Sequence, residues 1–344
     1  MQLPPGSPPD AILLSFPVAR EFAGQRLDRF IQSRIPRLSR TRAQEIVRLS
    51  ARREDGTERR ASERVRACDI VLLVRPRFVE PDVPLTFDVV YEDETVLAID
   101  KPSGLPMHPT ATYHRNTLTR VLKDRYGEPT PHICHRLDRE TSGLVLCAKE
   151  PATERALKLG FERRQVKKTY LALVRGEMPE DEGIIDFPLA PVQQGLHLLM
   201  EIRDTGEPSI AVTHYRVLER RAGHSLVWLE PQTGRQHQLR VHLSALGHPI
   251  LGDKLYGPDR EAPFLEVIET GLTASLIGRL GHERQALHAH RLTFTHPQTR
   301  AEITVEAPLA PDLMQLWDGL DGPGSGVRTP AARMVEGSAT TDGP

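Results

Sequence analysis

The chain has 344 residues, 39% of them hydrophobic, which is enough length for two domains with a substantial core. No apolar run approaches the roughly 20 residues of a membrane span, which excludes an integral membrane protein, and the first residues lack the charge and apolar run of a signal peptide. The three cysteines have no paired spacing, which disfavours a disulfide scaffold and a cysteine-based zinc site. We therefore expect a soluble protein of the reducing cytoplasm.

The net charge of −1 hides an asymmetry along the chain. The stretch 20–77 contains 16 Arg, no Lys and 8 acidic residues, a net charge of +8, so the remainder is acidic. A basic module joined to a mildly acidic body is expected when one part contacts nucleic acid. An Arg-rich solvated surface explains the charge equally well, so charge alone leaves both interpretations open.

The first predicted elements form a small α/β RNA-binding module at 18–76, after a proline-rich, disordered stretch at 1–17. A helical pattern ends at Pro36, Ser39 or Thr41 caps a second helix, and a short strand follows at Ile70–Val74. A proline-rich linker is predicted at 77–84. The candidate RNA-binding residues of the module are Arg26, Arg40 and Arg42, because guanidinium groups bind phosphate oxygens in pairs.

Beyond the linker the chain is rich in strands, which are predicted at Phe87–Tyr91, Thr95–Asp100, Gly143–Ala148, Tyr170–Val174, Ala211–Leu218, Ser225–Glu230 and Arg291–Thr295. Helices are predicted at Leu118–Tyr126, Ala152–Arg163, Thr233–Leu246 and Phe264–Leu280. Because the two do not alternate regularly, we expect an α+β fold with a mixed, mainly antiparallel sheet over 85–318. A disordered tail is predicted at 319–344, and the segment 258–281 is assigned no role.

The densest group of ionisable residues is the loop 131–143, which runs directly into a predicted strand. Ser142 lacks the glycine pattern of a hydrolase nucleophile, and His132, Cys134 and His135 are too close in sequence to close a tetrahedral metal site. Two interpretations remain. Asp138 is either half of a structural pair with Arg136, or a carboxylate held ionised by a neighbouring Arg and available as a nucleophile or base.

Two further segments carry candidate residues. Leucines recur at helical spacing in 239–246, although their alternation also permits a strand, and Arg240 lies off this leucine stripe. It is either a surface residue or a cationic partner that would depress the pKa of Asp138. The strand beginning at Lys167 carries Tyr170, which is either a packed core residue or an aromatic group beside the substrate.

Together these segments resemble the RluA-type family of RNA pseudouridine synthases. The matching stretches cover about 85–318 in the family's order: 135–144, Lys168-Thr169-Tyr170, 233–242, 100–105 with His108-Pro109, and Leu287-His288-Ala289. Residues 24–28 and Ser39-Arg40 resemble the S-four-like RNA-binding domain that is often fused to such enzymes. The resemblance of the module departs after Ile46, where Leu49–Gly56 replaces a hydrophobic strand and an Asn-Gly turn.

The resemblance implies an isomerase that acts on structured RNA without metal or organic cofactor. It implies that Asp138 is the catalytic carboxylate, that Tyr170 stacks on a uracil turned out of the RNA, and that Arg240 pairs with Asp138. We add Arg136 and His237 as RNA-binding residues. Large-subunit ribosomal RNA is the expected partner, with no membrane and no obligate protein partner.

Three alternatives stay open at this point. The substrate could be transfer RNA, since a sequence does not name the modified uridine. A non-catalytic ribosome-assembly factor could share the fold, although intact Asp138, Tyr170 and Arg240 disfavour it. A nucleoside hydrolase is disfavoured because the key motifs offer no second carboxylate other than Glu140.

Overall fold

The computed structural model describes residues 3–320, apart from 10, 36–37, 76–79, 111, 194, 197 and 205–208. The chain divides into two compact units, Met1–Glu80 and Pro81–Pro344. The predicted linker at 77–84 spans this boundary, and most of the predicted tail at 319–344 lies outside the described residues. No helix among the described residues is both long and apolar enough to cross a membrane.

The described residues of the first unit form two α-helices, a short 3₁₀ helix (Arg20–Phe22) and a three-stranded antiparallel sheet. Its elements are β1 (Ile12–Pro17), α1 (Leu27–Arg34), α2 (Arg40–Ser50), β2 (Ala51–Arg52) and β3 (Ile70–Arg75), with sheet order β1-β3-β2. The side chain of Ser39 caps α2 by accepting a hydrogen bond from the backbone N–H of Arg42. The two helices pack on β3 through a buried core that includes Leu27, Phe30 and Val71.

The prediction that 1–17 is disordered is wrong for its second half. Ile12–Pro17 forms a strand whose six residues pair with Ile70–Arg75. Only four consecutive apolar residues precede Ser15, and prolines lie at both ends, so the local sequence carries little strand signal. The strand exists because β3 offers it a partner about 55 residues away in the sequence.

The second unit is built around a ten-stranded mixed sheet. Its strands are β4 (Asp88–Glu92), β5 (Val96–Lys101), β6 (His132–Ile133), β7 (Ser142–Ala148), β8 (Lys167–Arg175), β9 (Glu182–Ile185), β12 (Thr213–Arg221), β13 (His224–Pro231), β14 (Leu287–Thr295) and β15 (Glu302–Glu306). The order is β4-β5-β7-β14-β8-β13-β12-β9, with β15 beside β14 and β6 beside β7. β10 (Leu189–Pro191) and β11 (Met200–Ile202) form a separate hairpin. Among the described strands, only β7 and β14 run parallel, so the predicted fold class is confirmed.

Six helices accompany this sheet: α3 (Leu118–Tyr126), α4 (Pro151–Glu162), α5 (Gln238–Ala245), α6 (Ala262–Thr270), α7 (Ala274–Leu280) and α8 (Pro311–Gly319). The helix predicted at Phe264–Leu280 is two helices, because Gly271 adopts a φ of +76° that ends α6 and Thr273 caps α7. The segment 239–246 is helical rather than extended. The largest apolar core lies where α5 and α8 pack on β8, β13 and β14.

Gly143 brings the first strand after the 131–143 loop against the centre of the sheet. Its φ is +108°, and a Cβ atom at this position would lie 2.3 Å from the carbonyl oxygen of Ala289 on β14. Only glycine permits this approach, which fixes the start of β7 and therefore the loop that precedes it.

Candidate active site

One cavity of about 580 Å³ opens where the 131–143 loop, β8 and the β13–α5 connection meet. The predicted residues Asp138, Tyr170 and Arg240 all line it, with Arg136 and His237. Segments that are separated by up to about 100 residues in the sequence therefore converge on one space. The side chain of Asp138 is 28% exposed and faces this cavity.

Asp138 is paired with Arg240, as the functional interpretation predicts. Nη1 of Arg240 donates to Oδ2 of Asp138 at 2.9 Å. The guanidinium also donates to Asp253, from Nε at 2.7 Å and from Nη2 at 2.9 Å. Arg240 is 6% exposed, so it is not a surface residue, and the structural Asp138–Arg136 pair does not form.

Asp253 is the buried anchor of this arrangement. It is 1% exposed, and its Oδ1 also accepts backbone N–H bonds from Leu255 and Tyr256 at 2.9 and 3.1 Å. With both oxygens satisfied, Asp253 fixes the plane of the Arg240 guanidinium and leaves Nη1 directed at Asp138. A buried charge pair completed by backbone donors meets the condition under which such pairs are tolerated in a core.

The electrostatic balance keeps Asp138 ionised. Burial by itself would raise the pKa of the carboxyl group, but Arg240 and His237 outweigh burial and hold the pKa below its ordinary value of 3.8. A carboxylate beside a cavity in this state is a base or nucleophile throughout the neutral range.

His237 lies at the start of α5, in a left-handed conformation with a φ of +55°. Its Nδ1 shares a hydrogen bond of 2.7 Å with the hydroxyl of Tyr256, and its Nε2 lies 3.8 Å from Oδ2 of Asp138. Burial and the nearby Arg240 lower the pKa of His237 to about 4, so the ring is neutral at pH 7. His237 is therefore a neutral part of the cavity wall, and an RNA group can contact its ring only by entering the cavity.

Tyr170 forms part of the opposite wall, on β8 between β13 and β14. Its ring packs against two apolar clusters of the core. Burial and the charge of Asp138 raise the pKa of its hydroxyl, so the phenol remains protonated at neutral pH. Among the described residues no side chain or backbone group forms a hydrogen bond with this hydroxyl, which leaves it available to a molecule in the cavity. Tyr170 is therefore both packed against the core and exposed to the cavity, so each of the two interpretations describes part of its environment.

Comparisons with known proteins show the family of the chain that forms this cavity. Residues 95–245 match the family model described as RNA pseudouridylate synthase. The chain is 36% identical over 339 residues to the ribosomal large subunit pseudouridine synthase D of Xanthomonas campestris, covering 96% of this chain and 97% of that protein. The chain belongs to the RNA pseudouridylate synthase family. It is therefore an isomerase that acts on RNA.

Other relatives agree with this family assignment. The synthase is 33% identical over 315 residues to the ribosomal large subunit pseudouridine synthase D of Zymomonas mobilis, which covers 87% of this chain and 95% of that protein. The solved structure of human RNA pseudouridylate synthase domain containing 4 matches with a TM-score of 0.53 at 28% identity. It covers 68% of this chain and 92% of that chain.

The 131–143 loop rests on two buried lysines. The ammonium of Lys101, which is fully buried, donates to the carbonyl oxygens of Pro102, Leu105 and Arg139 at 2.8, 3.1 and 3.2 Å. Lys254 donates to both oxygens of Glu140 at 3.0 and 2.9 Å. These bonds fix the backbone on the C-terminal side of Asp138.

The resemblance did not point to Asp253, Lys254 or Tyr256, which support the site of the synthase. They lie in an irregular segment between α5 and α6, where no hydrophobic period draws attention to them. The signal that was available is the pair of glycines at 252 and 257 around two charged residues and a tyrosine.

His135, which also lines the cavity, and Cys134 are held by contacts within the second unit. Nε2 of His135 accepts a hydrogen bond from the backbone N–H of Leu146 at 3.0 Å, and its ring lies against Phe161 with centroids 4.6 Å apart. Burial lowers the pKa of His135 to about 3. Cys134 is buried, and its thiol donates to the carbonyl oxygen of His132 at 3.6 Å. We interpret these residues as supports for the strand that follows.

The predicted RNA-binding arginines have different environments. Arg136 is exposed at the rim of the cavity. In the first unit, Arg26 donates from Nε and Nη2 to the fully buried Asp28 at 3.1 and 2.9 Å, which favours a structural role. Arg40 and Arg42 are 53% and 60% exposed and stay candidates for phosphate binding.

Proposed function

We propose that this synthase converts uridine to pseudouridine in large-subunit ribosomal RNA, with Asp138 as its catalytic carboxylate. The observation that carries the proposal is the position of this carboxylate, which is open to a cavity and held ionised by Arg240. Arg240 is itself fixed by Asp253. A site of this construction supplies a charged group in one orientation at the moment of reaction.

The reaction needs no redox partner. The bond between N1 of uracil and C1′ of ribose breaks, the uracil turns, and C5 forms a bond with C1′. C5 loses a proton and N1 gains one, so substrate and product have the same mass. Asp138 acts by attacking the ribose or the base, or by assisting removal of a ribose proton, and each of these roles requires the ionised carboxylate.

Tyr170 and the cavity account for access to the uridine. A base inside a helix is out of reach of Asp138, so the target nucleotide leaves its stack at a cost of a few kcal/mol. The cavity of about 580 Å³ accommodates a nucleoside-sized group. We propose that the Tyr170 ring stacks on the uracil and that its hydroxyl relays the proton lost from C5, taking up that proton while it releases its own to solvent.

The choice of RNA rests on the relatives. The proteins from Xanthomonas campestris and Zymomonas mobilis are both named as acting on the ribosomal large subunit, and the match covers nearly all of their length. We propose the same class of substrate for this chain. An enzyme of ribosomal RNA meets its substrate where bacterial ribosomes are assembled, which places the proposed reaction in the cytoplasm.

Mapping of pseudouridines in total RNA tests this function. Carbodiimide labelling and primer extension compare cells with the gene, cells without it, and cells that carry Asp138→Ala. We expect discrete signals in large-subunit RNA to disappear in the second and third strains. Signals that disappear only from transfer RNA would overturn the proposed substrate. An unchanged map, with purified protein still binding RNA, would overturn the activity and favour an assembly factor.

A further inference from the structure

Cations in and around the catalytic cavity fall into two classes. Arg240 is bound by the buried Asp253 and Lys254 by the half-buried Glu140, and both cations hold the site together. Arg136, Arg164 and Lys168 line the cavity, and in the described part of the chain none of them forms an ion pair or a side-chain hydrogen bond. Glu162 also lines the cavity, but it is exposed and forms no ion pair or side-chain hydrogen bond in the described part of the chain, so it does not neutralise them. Arg235 is a further cation of the wall, and its Nε donates to the carbonyl oxygen of Ile210 at 3.4 Å.

Lys168 is the least solvated of these three unpaired cations. It is half-buried, whereas Arg136 and Arg164 are exposed. Its ammonium lies against the loop before α5, since a Cβ atom on Gly234 would be 3.4 Å from Nζ. Burial and the like charge of Arg164 lower the pKa of Lys168, and no carboxylate offsets either effect. An ammonium in this position is destabilised until an anion arrives.

The position of Lys168 relates it to the substrate. It precedes Tyr170 by two residues on β8, and both side chains line the cavity. Positions i and i+2 of a strand lie on the same face, about 7 Å apart. Within one nucleotide, the distance from the base to the adjoining phosphates is comparable to this spacing. A uracil against Tyr170 therefore brings a backbone phosphate within reach of Lys168.

We propose that Lys168, with Arg164 beside it, binds a non-bridging phosphate oxygen of the RNA strand next to the uridine held at Tyr170. The proposal rests on the proposed function, because it assumes that the cavity receives a nucleotide of RNA. The phosphate replaces the water that Lys168 loses and offsets its repulsion from Arg164. Lys168 is thus a residue that positions the flipped nucleotide and takes no part in bond making.

The chain provides a matched control in the adjacent residue. Lys167 has the same charge and lies on the same strand, but it is exposed and its side chain lies on the other face of the sheet. Lys167→Gln and Lys168→Gln therefore remove the same charge from the two faces. Lys168→Arg retains the charge and serves as the conservative variant.

The test measures the affinity of the protein for RNA after one positive charge is removed from the protein, one negative charge is removed from the RNA, or both. The probe is a ribosomal RNA fragment that contains the mapped uridine, with one methylphosphonate placed in turn at each neighbouring phosphate. At one phosphate position, we expect the methylphosphonate to reduce the RNA affinity of wild type and of Lys167→Gln about ten- to a hundredfold. Lys168→Gln should bind unmodified RNA more weakly by the same factor, and the methylphosphonate at this position should not weaken its binding further. With unmodified RNA, we expect the slope of log K against log salt concentration to fall by about 0.7 in Lys168→Gln.

Two results would overturn the phosphate contact. The first is a Lys168→Gln variant that is as sensitive as wild type to every methylphosphonate. The second is a Lys168→Arg variant that binds no better than Lys168→Gln while both variants retain the circular dichroism of wild type. Failure of the wild-type protein to convert the unmodified fragment contradicts the proposed function instead, and because the coupling is read from affinity, the two failures are distinguishable.

Discussion

At the scale of single residues, the chemistry of the site depends on a chain of fixed charges. Asp253 holds Arg240, and Arg240 holds Asp138. Each contact consists of charge-assisted hydrogen bonds shorter than 3 Å, and the two inner members are buried. The geometry transfers the rigidity of a packed core to a carboxylate that is 28% exposed.

The pH profile of an Arg240→Lys variant tests this dependence. A lysine ammonium is a point charge and does not bridge two carboxylates as a planar guanidinium does. The proposed mechanism requires ionised Asp138, so we expect activity to be lost as pH falls through its folded pKa, which Arg240 holds below 3.8. In Arg240→Lys the charge beside Asp138 is held less firmly, so burial raises the pKa of Asp138. We expect kcat/KM at neutral pH to fall about a hundredfold and its acid limb to move to higher pH.

The matched measurement is the profile of Lys254→Arg. It alters a neighbouring cation that pairs with Glu140 and not with Asp138. We expect its acid limb to coincide with that of wild type. An Arg240→Lys limb at the wild-type position would show that Arg240 does not set the pKa of Asp138.

Single site residues could be predicted from the sequence where the residue lies within a motif that by itself indicates its role. Asp138 and Arg240 follow from their motifs, and the pair between them is confirmed at 2.9 Å. Asp253 and Tyr256 were not found, because their importance comes from partners on other elements. The length of a strand or helix is read from a local pattern, but a bond between Arg240 and Asp253 depends on how two connections fold against each other.

At the scale of elements, Gly143 determines where the 131–143 loop ends. Its substitution by alanine puts a Cβ atom 2.3 Å from a backbone oxygen of β14 in a backbone conformation that L residues rarely adopt. We expect Gly143→Ala to lower the free energy of unfolding by about 2 to 5 kcal/mol and to reduce activity. Urea unfolding followed by fluorescence of the tryptophans measures the change.

Gly278→Ala is the control for this substitution. Gly278 lies within α7, no atom lies within 4 Å of its added Cβ, and its φ is not positive. We expect it to be neutral or to stabilise the protein slightly, because alanine is the better helix former. Equal unfolding free energies for the two variants would contradict the role of Gly143.

Elements were predicted well where the signal is local. The predicted helix at Leu118–Tyr126 has the same bounds as α3, because Thr117 caps the helix and Gly127 ends it. The strand β1 and the short strands β9, β10 and β11 were missed, since each is defined by its partner more than by its own residues. The split between α6 and α7 had a readable signal in Gly271 and Thr273.

At the scale of the whole molecule, the excess positive charge lies in the first unit and the chemistry in the second. The stretch 20–77 has a net charge of +8 within a chain of net charge −1. Within the first unit, Arg26 and Arg40 both pair with buried Asp28, and Arg42 pairs with Glu45, but Arg40 and Arg42 remain more than half exposed. The unit is therefore expected to add affinity for RNA without contributing to bond making.

Salt dependence of RNA binding tests this division of roles. We expect Arg40→Gln with Arg42→Gln to weaken RNA affinity and to lower the slope of log K against log salt concentration by about 1.4. The rate constant of conversion at saturating RNA should stay within twofold of wild type. Arg120→Gln, which changes an exposed arginine of the second unit that is paired with Asp124, is the control. A salt slope equal to that of this control would show that the two arginines do not contact RNA.

The measurement that tests the central claim most directly is release of tritium from C5 of uridine in ribosomal RNA. Isomerisation at Asp138 predicts release by wild-type protein and, from unlabelled RNA, a nucleoside product of unchanged mass. Asp138→Ala should release none while its RNA affinity stays within a few-fold. Release by Asp138→Ala at the wild-type rate, or free uracil as the product, would contradict the account.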